Sequence, residues 1–122
     1  MMRGARRIYP TASFTIRPMA DGGDGTLDAL MTARGGRALD VAVTHPLGAT
    51  VNAAYGRFND GGVCVETARA SGLQLVGESE RDALAATSLG TGELIAAALG
   101  HGAERIVVGV GGTASTDGGT GA

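Results

Sequence analysis

The sequence predicts an α/β protein. Apolar residues switch repeatedly between strand and helix spacing along the chain, an alternation typical of this class. Three strand-like runs separated by turn residues predict a β-meander over residues 37–67. The last apolar run, residues 104–110, is β-branched and opens into a loop of Gly, Ser, Thr and Asp. Such loops present backbone N–H groups to phosphates at the carboxyl end of a strand.

The elements follow in chain order from the apolar spacing. Alternation over residues 13–17 predicts a short strand, which Pro18 ends. A helix over 26–33 has its apolar residues at helical spacing, and Gly35-Gly36 end it as a C-cap. The remaining predicted elements are strands at 38–44, 51–58 and 63–67, a short helix at 68–73, a helix at 91–99 and a buried central strand at 104–110.

The composition excludes several classes of protein. All 10 basic residues are Arg, so a Walker-type loop, which requires Lys, is excluded from this chain. The net charge of −2 argues against a nucleic-acid partner. We expect no membrane-spanning segment, because no apolar run is long enough, and no signal peptide. A lone cysteine, Cys64, lies within a strand-like run, which predicts a buried, inert thiol and is compatible with a reducing cytoplasm.

The loop over 19–26 contains two carboxylates separated by glycines. Asp21 and Asp24 could hold Mg²⁺ or accept a proton from a substrate hydroxyl, and the glycines allow a ligand to approach closely. The alternative is structural: Asp24 caps the helix at 26–33, and the glycines serve turns that need positive φ. The spacing alone does not decide between them.

Two further loops could hold an anion. The run 87–93 enters the helix at 91–99, where Thr91 could serve a carboxylate or phosphate, or could simply be the N-cap. The end of the run 104–110 and the loop after it carry the minimal dinucleotide-binding pattern at Gly109, Gly111 and Ala114. Its hydroxyl and carboxylate residues fit a phosphate or Mg²⁺ site at least as well. Both interpretations stay open on spacing alone.

Five segments resemble one known family in order and spacing: MADGGDGTLDAL (19–30), VTHPLGATVNAAYG (43–56), ETARASGLQLV (66–76), TSLGTGELIAAAL (87–99) and GVGGTASTDGGTG (109–121). They resemble the glycerate kinases of bacterial glycerate metabolism, and the resemblance runs from about residue 8 to the last residue. It implies phosphorylation of D-glycerate by ATP and Mg²⁺, most often at the 2-hydroxyl, in a cytoplasmic enzyme. It also implies two α/β domains with the site between them.

The resemblance implies roles for particular residues. Candidate catalytic groups are Asp21, Asp24 and Asp117, of which Asp21 and Asp117 are candidate Mg²⁺ ligands. Candidate substrate- or phosphate-binding residues are Gly22, Gly23, Thr26, Thr91, Gly111, Gly112, Thr113 and Ser115. Within the matching segments, Asp24 stands where Glu is commoner, and Arg69 replaces a small or neutral residue. Thr113 and Ser115 stand where Ser and Thr are usual, so both hydroxyls are kept.

Residues 1–122 are expected to be part of a glycerate kinase, because family members begin with a further strand and continue well past residue 122. We expect a Rossmann-like or flavodoxin-like portion of a parallel sheet, including the helix–strand–loop unit at 87–122, with the meander at 37–67 in a second α/β domain. We therefore expect this chain to be inactive and poorly folded alone. The alternatives are part of a dinucleotide-binding oxidoreductase and a truncated product without catalytic activity.

Overall fold

The computed structural model describes residues 2–122 and consists of helices on a mixed sheet. The predicted helices and strands of the middle and last parts of the chain form, with bounds shifted by at most two residues. The elements are α1 (Met2–Ile8), α2 (Thr26–Arg34), β1 (Gly36–Thr44), β2 (Thr50–Phe58), β3 (Val63–Glu66), α3 (Thr67–Ser71), 3₁₀ turns at Leu73–Leu75 and Glu78–Glu80, α4 (Leu89–Gly100) and β4 (Ile106–Gly109).

The four strands form one sheet in the order β1-β2-β3-β4. The first three strands form an antiparallel meander, as predicted, and Gly61 adopts a φ of 82° in the tight turn between β2 and β3. The chain then crosses over through α3 and α4, so β4 pairs in parallel with β3. The prediction of an α/β fold is confirmed, and how it divides into domains stays a prediction.

Helices cover both faces of the sheet. On one face, Leu94 and Ala98 of α4 pack in a buried cluster with Val43, Tyr55 and Val65 from the strands. The opposite face carries a smaller cluster in which Leu27 of α2 contacts Phe58 and Cys64.

Cys64 is fully buried, as predicted. Burial is the main cause that raises the pKa of its thiol, and the neighbouring Glu66 carboxylate adds to that effect. The thiol is therefore held in its protonated, unreactive form.

Two strand predictions are wrong. Residues 13–17 form no strand, because no strand of the described sheet lies beside them, and Ile16 is 65% exposed. Within residues 2–122, strand β4 lies at the edge of the sheet instead of its centre, so no strand of this part of the chain pairs with its outer N–H and C=O groups. Its apolar residues are correspondingly open to solvent, with Val107 42% and Val108 40% exposed. Among residues 2–122, no helix has both the length and the apolar character that crossing a bilayer requires.

Candidate active site

The candidate site lies at the carboxyl ends of the parallel strands β3 and β4, where open α/β sheets place their ligands. Glu66, the last residue of β3, pairs in register with Gly109, the last residue of β4. The chain continues from β3 into Thr67 and from β4 into Val110 and Gly111. The Thr67 hydroxyl lies 3.4 Å from both the backbone nitrogen and the backbone oxygen of Gly111, which links the two strand ends.

The loop over residues 21–26 packs backbone to backbone against the end of β4. A Cβ atom added to Gly111 would lie 2.8 Å from Cα of Gly23, and one added to Gly109 would lie 2.9 Å from the carbonyl oxygen of Gly22. Real Cβ atoms essentially never approach so closely, so glycine is required at both positions. The structure therefore brings together two loops that the sequence analysis had singled out separately.

Hydrogen bonds within and beyond the loop fix its shape. The Thr26 hydroxyl donates to the carbonyl of Gly23 at 2.7 Å and accepts from the N–H of Gly22 at 3.0 Å. The Glu66 carboxylate accepts the N–H groups of Gly25 at 3.1 Å and Leu27 at 2.7 Å. Thr26 is buried, so its hydroxyl belongs to the internal structure of the loop.

Asp21 and Asp24 extend from this loop with most of their carboxylate capacity unused. Asp21 accepts one bond, from the N–H of Gly23 at 3.1 Å, on Oδ1. Asp24 accepts the side-chain amide of Gln74 at 2.8 Å, also on Oδ1. Both residues are exposed. The alternative in which Asp24 caps α2 is wrong, because Gly25 occupies the N-cap position with a φ of 87° and Glu66 binds the free amides.

Asp117 has a different environment. Its Oδ2 accepts the N–H and the hydroxyl of Ser88, each at 2.8 Å, and its Oδ1 accepts the Ser115 hydroxyl and the Gly119 N–H, each at 3.1 Å. The bonds from Ser88 are the main cause that holds the pKa of this carboxyl far below its ordinary value. A carboxylate has about four acceptor positions, and these four donors use them. Asp117 thus ties the loop over 111–119 to the start of α4.

Thr91 lies inside α4, which begins at Leu89, so the alternative in which Thr91 is the N-cap is wrong: Ser88 occupies that position. The Thr91 hydroxyl is buried and lies 2.9 Å from the hydroxyl of Ser71. These two hydroxyls join α4 to α3.

Gly112 and Thr113 form an exposed part of the loop that follows β4. The carbonyl of Gly112, whose φ is 62°, accepts the N–H of Leu73 at 2.7 Å, and Ala114 donates to the carbonyl of Ser71 at 2.8 Å. These bonds flank Thr113 and anchor the loop, while Gly112 and Thr113 remain exposed. Residues 112–122 contain no helix, so the pattern at Gly109, Gly111 and Ala114 lacks the helix that a dinucleotide-binding motif requires.

The predicted residues fall into two groups. One surrounds the contact between the glycine loops: Asp21, Gly22, Gly23, Asp24, Thr26, Gly111, Gly112 and Thr113. The other lies near the start of α4: Thr91, Ser115 and Asp117. Sequence reasoning missed Glu66 and Thr67, and the available signal was a charged residue closing the apolar run of β3. Within residues 2–122, no three His, Cys, Asp or Glu side chains converge as a metal cluster.

Comparisons with known proteins identify the family. A family model described as the glycerate kinase family matches residues 1–122. The chain belongs to the glycerate kinase family. Over 120 residues it is 48% identical to the glycerate kinase of Bacillus subtilis (strain 168), covering 98% of this chain and 31% of that protein. It is equally 48% identical over 120 residues to the glycerate 2-kinase of Escherichia coli (strain K12), covering 98% of this chain and 32% of that protein.

A solved structure gives the same result. The crystal structure described as glycerate kinase 2 from Salmonella typhimurium LT2 matches with a TM-score of 0.80 and 49% identity, over 98% of this chain and 32% of that one. The family resemblance inferred from the five segments is confirmed. This glycerate kinase family chain spans about a third of the length of the curated relatives it matches.

Proposed function

We propose that this chain contributes to a site where ATP phosphorylates D-glycerate at its 2-hydroxyl, which gives 2-phosphoglycerate and ADP. The observation that carries this proposal is the backbone contact between the loops of Gly23 and Gly111 at the carboxyl ends of β3 and β4. The family membership, and the 48% identity to the E. coli glycerate 2-kinase, supply the reaction class and the substrate.

The Asp21 carboxylate fits the Mg²⁺ that such a reaction uses. Mg²⁺ prefers oxygen ligands and is commonly held by one or two carboxylates together with substrate phosphates. Asp21 is exposed and uses only Oδ1 for an internal bond, so it retains acceptor capacity for a cation. Bound Mg²⁺ would neutralise charge on the phosphates. Asp117 fits this role less well, because its carboxylate already accepts four hydrogen bonds.

Substrate anions would bind to the backbone and hydroxyl groups of the loop after β4. Gly112 and Thr113 are exposed there, and bonds on both sides hold them in place. Phosphoryl transfer depends mainly on positioning and on stabilising charge, so a rigid loop of small residues suits it. Asp24, whose Oδ2 is free of internal bonds, is the proposed acceptor of the proton from the glycerate 2-hydroxyl.

The experiment is a chimera in which this chain replaces the 120 aligned residues of the E. coli glycerate 2-kinase. We expect the chimera to release ADP when given D-glycerate, ATP and Mg²⁺, and to form 2-phosphoglycerate identifiable by ³¹P NMR. Asp21→Asn should lower kcat by about 10²-fold or more and raise the Mg²⁺ concentration needed for half-maximal rate. A stable chimera that releases no ADP with glycerate would overturn the proposal.

The alternative is a chain without catalytic activity, and the 122-residue chain itself tests it in the same assay. We expect no glycerate-dependent ADP release from the chain alone, since its relatives supply about two-thirds of their length from outside the matched region. Release of ADP by the chain alone would contradict that expectation. We place the active protein in the cytoplasm, which fractionation of cells that express it would test.

A further inference from the structure

Glu66 is a buried charge that the proposed reaction does not use. It closes the apolar strand β3 and is only 1% exposed. Burying a carboxylate costs several kcal/mol unless the charge is well paired and hydrogen-bonded. Such a residue needs a compensating partner, and the identity of that partner indicates what the residue holds in place.

The close partners of Glu66 are backbone amides of the glycine loop. Gly25 donates to Oε1 at 3.1 Å and Leu27 donates to Oε2 at 2.7 Å, from positions 41 and 39 residues away in the sequence. Gly25 is the N-cap of α2 and Leu27 lies in its first turn, so both amides are at the helix start, where the helix dipole also favours a negative charge. The carboxylate therefore binds the loop and the helix start together.

Arg69 is the second charged neighbour, and it is more distant. Its Nε lies 3.7 Å from Oε2 of Glu66 and makes no hydrogen bond, whereas its Nη2 pairs with Asp28 at 2.8 Å. The guanidinium thus compensates the Glu66 charge at longer range while bonding to an exposed residue of α2. Arg69 supports the arrangement, and the two amide bonds define it.

Resting on the proposed function, we propose that Glu66 is a positioning residue for phosphoryl transfer. By holding Gly25 and Leu27, it keeps the loop of Gly22 and Gly23 against the end of β4. Asp21 and Asp24 extend from that loop, so the placement of both carboxylates depends on Glu66. Glu66 itself touches no reacting atom, and it acts through the loop.

The first test uses the chimera and needs no activity. The Gln side chain in Glu66→Gln keeps one acceptor oxygen and loses the other, so at least one of the two amide bonds is lost. Amide hydrogen exchange measured by NMR should then be faster by about tenfold or more at Gly25, at Leu27 or at both, the factor that corresponds to the loss of one hydrogen bond to a charged group. The matched control is Asp28→Asn, which removes a carboxylate from the same Arg69 but leaves both amide bonds, and its exchange at these amides should match the wild type. Unchanged exchange in Glu66→Gln would overturn the proposal. If the Glu66→Gln variant does not fold, the same exchange measurement is made on Glu66→Asp, which keeps the charge but shortens the side chain.

The second test measures kinetics of the same chimera, where a positioning role can be told from a purely structural one. We expect Glu66→Gln to lower kcat by about tenfold or more and to raise the Mg²⁺ concentration needed for half-maximal rate, because Asp21 lies on the loop that Glu66 holds. Glu66→Asp should recover part of both effects. Wild-type kcat in a folded Glu66→Gln chimera would overturn the proposal, and a lowered kcat with an unchanged Mg²⁺ requirement would contradict action through the loop. An inactive wild-type chimera would count against the proposed function alone, because the exchange experiment still decides whether Glu66 holds the loop.

Discussion

Replacing Gly111 by Ala tests whether the contact between the two glycine loops builds the site. The added methyl would lie 2.8 Å from Cα and 2.9 Å from N of Gly23. The loops would have to separate by about 0.7–1.2 Å to restore the 3.5–4.0 Å of ordinary carbon contacts. Overpacking of this kind costs about 1–3 kcal/mol of unfolding free energy, and a displacement near 1 Å can lower a catalytic rate by about 10²-fold.

Urea unfolding of the chimera measures the first effect, and its ADP release measures the second. Gly100→Ala is the matched control, because a Cβ at Gly100 meets nothing within 4 Å. Its kcat should stay near the wild-type value, and its unfolding midpoint should be unchanged or slightly raised, since alanine favours a helix more than glycine does. If Gly111→Ala leaves both the unfolding midpoint and kcat unchanged, the two loops do not need their close approach and the reasoning is refuted.

Three further predictions concern stability and self-association. The folded-state pKa of Asp117 lies far below its usual value. The stability that the Asp117 carboxylate adds is therefore fully present above the unfolded pKa of about 3.9 and is lost as the pH falls below that value. Urea midpoints taken from about pH 5 downward should fall less in Asp117→Asn than in the wild type, and equal slopes would contradict this. Tyr55→Phe removes the hydrogen bond at 2.5 Å to His101 Nδ1 and should lower the unfolding free energy by about 0.5–1.5 kcal/mol, whereas an unchanged urea midpoint would show that this bond adds nothing. The open edge of β4 predicts that the chain alone self-associates, and Val108→Lys should reduce this association in sedimentation experiments; equal association would place the contact elsewhere.

Local patterns in the sequence predicted most of the fold. The meander and helices α2 and α4 follow from residues close together in the chain, and each formed within three residues of its predicted bounds. The strand predicted at residues 13–17 was wrong because alternation describes one strand and says nothing about whether a neighbouring strand exists to pair with it. The predicted central position of β4 was wrong for the same reason, since strand order is a property of the whole sheet.

The candidate site was only partly predictable. The loops were visible as glycine-rich segments, but their mutual contact joins Gly23 to Gly111, far apart in sequence. The predicted helix caps were wrong because the carboxylates that bind the helix starts are distant in sequence. Glu66 binds α2 from 39 residues away, and Asp117 binds the start of α4 from 29 residues away. A sequence pattern detects caps only when the cap lies beside its helix.

We infer that the loops at residues 21–26 and 111–113 form one substrate site. Hydrogen-exchange mass spectrometry of the chimera, with and without D-glycerate, Mg²⁺ and a non-hydrolysable ATP analogue, measures whether both loops bind ligands. The ligands should slow exchange in peptides that span both loops, and Asp21→Asn should weaken the effect in both. Slowed exchange confined to the meander over residues 37–67, with both loops unchanged, would show that the loops do not form the site.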